Sequence, residues 1–327
     1  MLESSEPKLR VVGVDIGYEH TTYAIVDIRG NIIAQDGFLT IDYPDINDYV
    51  SELTDRIFKM IEENGGYETI RSIGLSSPSA NNLTGCIENA ANMPWKGVVP
   101  IAAMLQDRMA LGVGLGNDAH VSALGEKTFG SAHGMENFII VNLGYGLGSS
   151  FFSCGIKHEG HFGMAGEFGH TCVVDHGRKC SCGREGCLEA YVSTRGIIQT
   201  AYELMEESDE PSLMRGVVDL SPEKIREYCE QGDKLAIETF RRTGYLLGLG
   251  LSNYSALVNP EAIILTGGIP KSGKWLLEPM NDSFESHLFQ NLRGKIKIMV
   301  SRLDNRTRDV LGASVIAWGV PEYSLFK

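Results

Sequence analysis

Residues 167–189 read EFGHTCVVDHGRKCSCGREGCLE. Within this stretch His170, Cys180, Cys182 and Cys187 follow the spacing H-x9-C-x-C-x4-C. One imidazole and three thiolates fill a tetrahedral zinc site, and such a closed site is structural because no position stays open for water. Two carboxylates, Glu167 and Glu189, bracket the run. The expectation is a loop that zinc stiffens and that presents polar side chains to a substrate.

The same cysteines could instead be free thiols or a disulfide cluster. The chain has seven cysteines, an odd number, and begins MLESSEPKLR. That start lacks the apolar core of a signal peptide. No uninterrupted apolar run is long enough to span a bilayer. A cytoplasmic protein with no membrane partner is expected, and in a reducing compartment such clusters bind metal more often than they form disulfides. Cys86, Cys154, Cys172 and Cys229 read as small packing residues.

At 327 residues the chain can build two domains with full cores. Hydrophobic residues at 43% and charged residues at 22% suit a soluble globular enzyme. The formal charge of −13 disfavours nucleic acid, whose non-specific binding depends on Lys and Arg neutralising phosphates. It does not exclude a small anion in a locally opposed pocket.

Residues 10–16, 21–27 and 32–35 predict an antiparallel meander with a turn at Arg29-Gly30-Asn31. Residues 46–63 have helical periodicity, with Tyr49, Leu53, Ile57, Met60 and Ile61 on one face. A strand over 71–76, a helix over 99–110, a strand over 112–116 and a helix over 119–129 follow. Strands over 137–143 and 149–157 flank the glycine turn 144–148. Thereafter the chain reads as mostly helical to Val258, with an acidic surface loop over 206–219. A strand over 262–266, a helix over 274–289, a strand over 296–301 and a helix over 308–319 complete it. The order is α/β with mixed sheets in two lobes, as diverged copies of one βββαβα unit.

Glycine turns after strands let backbone amides approach an anion closely. Asp15-Ile16-Gly17, Gly144-Tyr145-Gly146 and Gly267-Gly268 are three such turns, and together they point to a nucleotide. Asp118 follows a strand and opens a helix. The N-terminal helix dipole would keep it ionised, so it could take a proton from a hydroxyl. The plainer alternative is that Asn117 or Asp118 only caps the helix.

Over residues 10–320 the chain resembles the ROK family of sugar kinases, within the actin-like ATPase superfamily. EFGH followed by CSCGREGCLE matches the family's ExGH and CxCGxxGCxE signatures. GNDAHVSALGE resembles its N-D-A-N-x-x-x-x-G-E helix, and ENAANMPWKGV its A-x-N-L-P-W-K-G sugar loop, in wording closest to the glucokinases. The resemblance implies a two-lobed actin-like ATPase (ribonuclease H-like) fold with a nucleotide and sugar cleft between lobes. Its small lobe would be 1–118 plus 307–327, and its large lobe 119–306.

The resemblance also implies ATP-dependent phosphorylation of a hexose, foremost glucose to glucose 6-phosphate, in a homodimer or homotetramer. Asp118 would be the general base. Asn92, Asn117, Glu167, His170 and Glu189 would bind sugar hydroxyls. Zn²⁺ would be held by His170, Cys180, Cys182 and Cys187. Asp15 would position Mg²⁺, and Gly17, Gly144, Gly146, Gly267 and Gly268 would hold ATP.

Two departures stand out. The family's D-I-G-G-T is here Asp15-Ile16-Gly17-Tyr18-Glu19, and its G-T-G is Gly144-Tyr145-Gly146. Both phosphate-binding threonines are missing, and Thr21 or Thr22 could substitute for one. A carboxylate about 4 Å from a phosphate charge costs about 1 kcal/mol in water and about 4 kcal/mol at an intermediate dielectric. The alternatives are therefore a sugar-binding sensor with weakened catalysis, or a kinase for another hexose such as N-acetylmannosamine or N-acetylglucosamine. A repressor is disfavoured, because the first strand starts near residue 10 and the charge is acidic.

Overall fold

The alternation of apolar residues in RVVGVDI places them on two faces, and strand β1 (Arg10–Ile16) uses both. In the computed structural model, which describes residues 9–90, 93–161 and 164–321, Val12, Val14 and Ile16 enter one core and Val11 another. β2 (His20–Asp27) and β3 (Ile32–Leu39) complete the meander. The Asp27 carboxylate closes their turn by accepting from the amides of Arg29 and Asn31, each at 2.8 Å. Helix α1 (Ile46–Glu63) is capped by Asp45 and buries the predicted face of Tyr49, Leu53, Ile57, Met60 and Ile61.

β4 (Ile70–Ser77) pairs parallel to β1. Short strands β5 (Ala80–Asn81), β6 (Cys86–Glu88) and β7 (Val98–Val99) form a small separate sheet. Helix α2 (Ile101–Met109), β8 (Gly112–Asn117) and α3 (Asp118–Phe129) follow. The five-stranded sheet has the order β3-β2-β1-β4-β8.

The next unit begins with β9 (Phe138–Leu143), β10 (Leu147–Ser153) and β11 (Ile156–Lys157). Helices α4 (Glu189–Val192), α5 (Thr194–Glu207), α6 (Pro222–Glu230) and α7 (Lys234–Val258) come next. β12 (Ala262–Gly267), α8 (Lys274–His287) and β13 (Lys297–Val300) end it. Its sheet has the order β11-β10-β9-β12-β13, so the two sheets share one topology, two antiparallel hairpin pairs followed by two parallel pairs. This is the duplicated α/β fold of the expected superfamily.

Two boundaries differ from expectation. The strand predicted over 149–157 is a hairpin, because Cys154 and Gly155 both take positive φ, 52° and 74°. A two-residue turn with that geometry reverses the chain with the right-handed strand twist. The units divide after Gly134 and Ser301, not at 118 and 307. Helix α3 stays with the first unit because it packs against the last helix, α9 (Asn305–Gly319).

That packing is backbone on backbone. Gly13, Gly74 and Gly114 lie side by side across β1, β4 and β8. A Cβ at Gly13 would sit 2.2 Å from the Val310 carbonyl oxygen, and one at Gly74 1.9 Å from that of Ala313. Gly125 of α3 and Gly312 of α9 make equally close approaches, to the carbonyl oxygens of Arg308 and Val121. Gly74→Ala should therefore destabilise the protein by about 3 kcal/mol, since a rigid carbonyl cannot yield. Gly319→Ala, in open space, should change stability by less than about 1 kcal/mol. Urea denaturation midpoints decide this, and equal effects would refute the close seat.

Candidate functional site

In the first unit the acids gather at the C-terminal ends of parallel strands, where open α/β sheets bind ligands. Asp15, next to last in β1, is in register with Ser76 of β4, and Ser77 is in register with Asn117. Asn117 caps α3, its side chain accepting from the Ala119 amide at 3.1 Å. Asp118 is the first residue of α3, and its own carboxylate accepts from the same amide at 2.8 Å. The capping reading therefore holds for Asn117 and leaves Asp118 with an acceptor to spare.

Sequence reasoning missed the groups that α9 adds here. Arg308 is buried and clamps Asp309 in two hydrogen bonds, 2.8 and 3.0 Å. Ser122 of α3 donates to the same Asp309 carboxylate at 2.6 Å. Burial first, and then the Asp309 charge, push Asp15 up to about 7, while the Ser76 hydroxyl and Arg308 oppose the shift. Burial also raises Asp118 above the usual carboxylate range, with the Ala119 amide opposing and Asp309 reinforcing it. The helix terminus thus does not by itself keep Asp118 as acidic as expected.

In the second unit the predicted metal ligands converge. One ligand atom from each of His170, Cys180, Cys182 and Cys187 lies within 4.8 Å of the others. Cys180 Sγ is 3.6 Å from His170 Nδ1, and Cys182 Sγ is 3.7 Å from Cys187 Sγ. Bonds of about 2.3 Å to sulfur and about 2.0 Å to nitrogen in a tetrahedron give edges of about 3.8 Å for S···S and about 3.5 Å for S···N. The donor set thus fits a tetrahedral metal.

The loop's shape follows from its glycines and anchors. Gly183 and Gly186 have φ of 86° and 74°, and a Cβ at Gly186 would lie 1.8 Å from the Val174 carbonyl oxygen. Phe168 and Leu188 are buried against α7 at Gly250, where a Cβ would meet Leu188 at 2.7 Å. Arg178, which no motif flagged, ties the loop to α4 and α5. It donates to the carbonyl oxygens of Ala190 (3.1 Å) and Gly196 (2.9 Å), bonds Glu203, and stacks 4.6 Å over Tyr191.

Glu167 precedes buried Phe168 in a short 3-10 turn that ends at His170. Glu189 starts α4 and accepts from the Leu147 amide at 2.9 Å, joining the cysteine loop to the glycine turn. Asn92 lies outside the described residues.

The glycine turns are less open than their spacing suggests. The Gly17 amide donates to His20 O at 3.0 Å, and the Gly144 amide to Gly146 O at 3.1 Å. Gly146 is needed to clear Glu189, and Gly267 (φ 95°) to clear the Leu143 carbonyl oxygen. A Cβ at Gly268 would meet only the Glu223 carboxylate, at 3.9 Å. Thr21 cannot replace a lost phosphate-binding threonine, because its buried hydroxyl is shared with Thr40 (2.8 Å) and Tyr49 (2.9 Å). Thr21 and Thr22 both line a cavity of about 530 Å³, with His20, Gly37 and Arg306. Tyr18 and Tyr145 are exposed. Among the described residues no helix is long and apolar enough to cross a membrane.

A family model described as the ROK family matches residues 11–319. Over 313 residues the chain is 30% identical to a glucokinase of Halalkalibacterium halodurans, covering 90% of this chain and 91% of that one. It is 27% identical to a xylose repressor of Caldicellulosiruptor bescii, covering 96% of this chain and 80% of the repressor. Its structure is similar to that of a ROK family glucokinase from Streptomyces griseus in complex with glucose and AMPPNP. The TM-score is 0.75 at 29% identity, over 95% of this chain and 99% of that one.

The raised Asp15 value has a stability consequence. Between pH about 4 and about 7 the folded protein keeps a proton that the unfolded chain has released, so stability falls as pH rises through that window. In magnesium-free buffer Asp15→Asn should gain stability relative to the parent from pH 5 to pH 8, by on the order of 1 to 3 kcal/mol, since each pH unit crossed below the raised value is worth about 1.4 kcal/mol. Denaturation at both pH values checks this, and a constant difference between the two proteins would contradict it.

Proposed function

The chain belongs to the ROK family, and from that premise we propose that it transfers a phosphoryl group from ATP to a hexose, foremost glucose. Asp118 is the observation that carries the reading. It is held at a helix start with its carboxylate raised by burial. A carboxylate raised above its ordinary range is a stronger base toward a hydroxyl.

Asn92, Asn117, Glu167, His170 and Glu189 are assigned to the sugar hydroxyls. His170 turns Nδ1 to the cysteine cluster, so Nε2 is its nitrogen for a ligand. The metal is assigned as Zn²⁺, because three thiolates and one imidazole suit it and leave no catalytic position open. Asp15 is assigned to Mg²⁺, which when bound would neutralise phosphate charge. A cation there would also relieve the crowding that Asp309 imposes on Asp15. Gly17, Gly144, Gly146, Gly267 and Gly268 are assigned to the nucleotide, with Thr22 as the hydroxyl left for a phosphate. In such a transfer, positioning and charge neutralisation supply most of the rate.

A second reading is a sugar sensor that has lost transfer. Glu19 and exposed Tyr145 in the phosphate turns favour it, as does the similarity to a xylose repressor.

ADP release from Mg²⁺-ATP with a panel of hexoses separates the two. The kinase reading predicts sugar-dependent release, and sugar binding by calorimetry without release would overturn it. Asp118→Asn should lower turnover by about 10²- to 10⁴-fold while sugar affinity stays within about threefold. A variant with near-parental turnover would remove Asp118 from the role of base.

A further inference from the structure

Cys172 takes no part in the cluster of four, yet the fold sets it directly opposite one of its members. Cys172 and Cys187 face each other in an isolated antiparallel bridge. The Leu188 amide donates to Thr171 O and the Val173 amide to Gly186 O, both at 2.9 Å. These bonds flank the pair without joining its two members, which makes it a non-hydrogen-bonded pair. Such pairs hold their Cα atoms about 4.5 Å apart, with the side chains at their closest. Disulfides form across Cα separations of about 4.4–6.8 Å. Forming the bond requires the Cys172 side chain to turn from its present contact, where its sulfur lies 3.5 Å from Val174 O. Cys172 is exposed, whereas Cys187 is buried.

We propose that Cys172 is a peroxide-sensitive thiol that captures Cys187 in a cross-strand disulfide and so unloads the metal loop. Hydrogen peroxide oxidises the Cys172 sulfur to sulfenic acid, the O–O bond breaks, and one water leaves. The Cys187 sulfur then attacks that sulfur. The S–S bond forms, the S–O bond breaks, and the hydroxyl takes a proton and leaves as a second water. The two sulfurs supply the two electrons that peroxide gains. Cys187 can no longer serve as a thiolate ligand, which leaves His170, Cys180 and Cys182 and opens the site. The disulfide follows from the bridge alone, and only the release step rests on the metal assignment.

The test treats purified protein of measured zinc content with a small excess of hydrogen peroxide. Released zinc is followed with a metallochromic dye, and disulfides are mapped by mass spectrometry of digests. Expected are a Cys172–Cys187 cross-link, zinc loss in step with it, and reversal of the cross-link by dithiothreitol. Cys172→Ser should lose zinc about tenfold more slowly, while Cys154→Ser, which alters another exposed thiol, should match the parent. Disulfides confined to Cys180, Cys182 and Cys187, or equal rates in the parent and Cys172→Ser, would overturn the proposal. Protein free of zinc at the outset would refute the metal assignment, and the peptide map would still decide the cross-link.

Discussion

The seat of α9 on the glycine row of β1, β4 and β8 is the contact on which the first unit depends. At Gly13 and Gly74 the helix carbonyl oxygens lie within 2.2 and 1.9 Å of where a Cβ would sit, and Gly114 clears the Ile316 and Val320 side chains. Gly312 brings α3 equally close. This places the first turns of α9 beside the ends of β1 and β8. Arg308 and Asp309 then reach the neighbourhood of Asp15 and Asp118, and Ser122 locks Asp309 in place. A bulkier sheet would hold the helix off and separate these charges, so sheet composition and acid chemistry are one constraint.

The cysteine loop follows a different logic. Its polypeptide has little regular structure, and it is held by a buried phenylalanine and leucine, by two left-handed glycines and by one arginine fork. Each of these fixes the backbone independently of a metal, and the four donors lie within 4.8 Å of one another, two pairs of them at tetrahedral spacing. A metal bound there gains from preorganisation, and the loop gains rigidity at Glu189, which also holds the glycine turn.

Much of this was legible in the sequence where the signal is local. The apolar run over 10–16 and the 3.6-residue period over 46–63 match β1 and α1, and the H-x9-C-x-C-x4-C spacing identified the four converging ligands. What escaped was tertiary. Cys154-Gly155 does not carry the usual hairpin signature, so a single strand was expected where two exist. Nothing in the residues around 118 announces that α3 will pack on a helix nearly two hundred positions later, as Ser122 and Asp309 do. Arg178 and Arg308 gave no motif, because an arginine declares its partners only in three dimensions. Thr21 and Thr22 looked equivalent in the sequence, but the fold engages the Thr21 hydroxyl with Thr40 and Tyr49.

Phosphoryl transfer by this chain requires that the altered phosphate turns, with Tyr18, Glu19 and Tyr145 in place, still receive a nucleotide. Calorimetric titration of a non-hydrolysable ATP analogue with Mg²⁺, with and without glucose, tests it most directly. Saturable binding that tightens when glucose is present, and weakens in Asp15→Asn, is the predicted result. Heat from glucose alone, with no binding of the analogue in either condition, would contradict it.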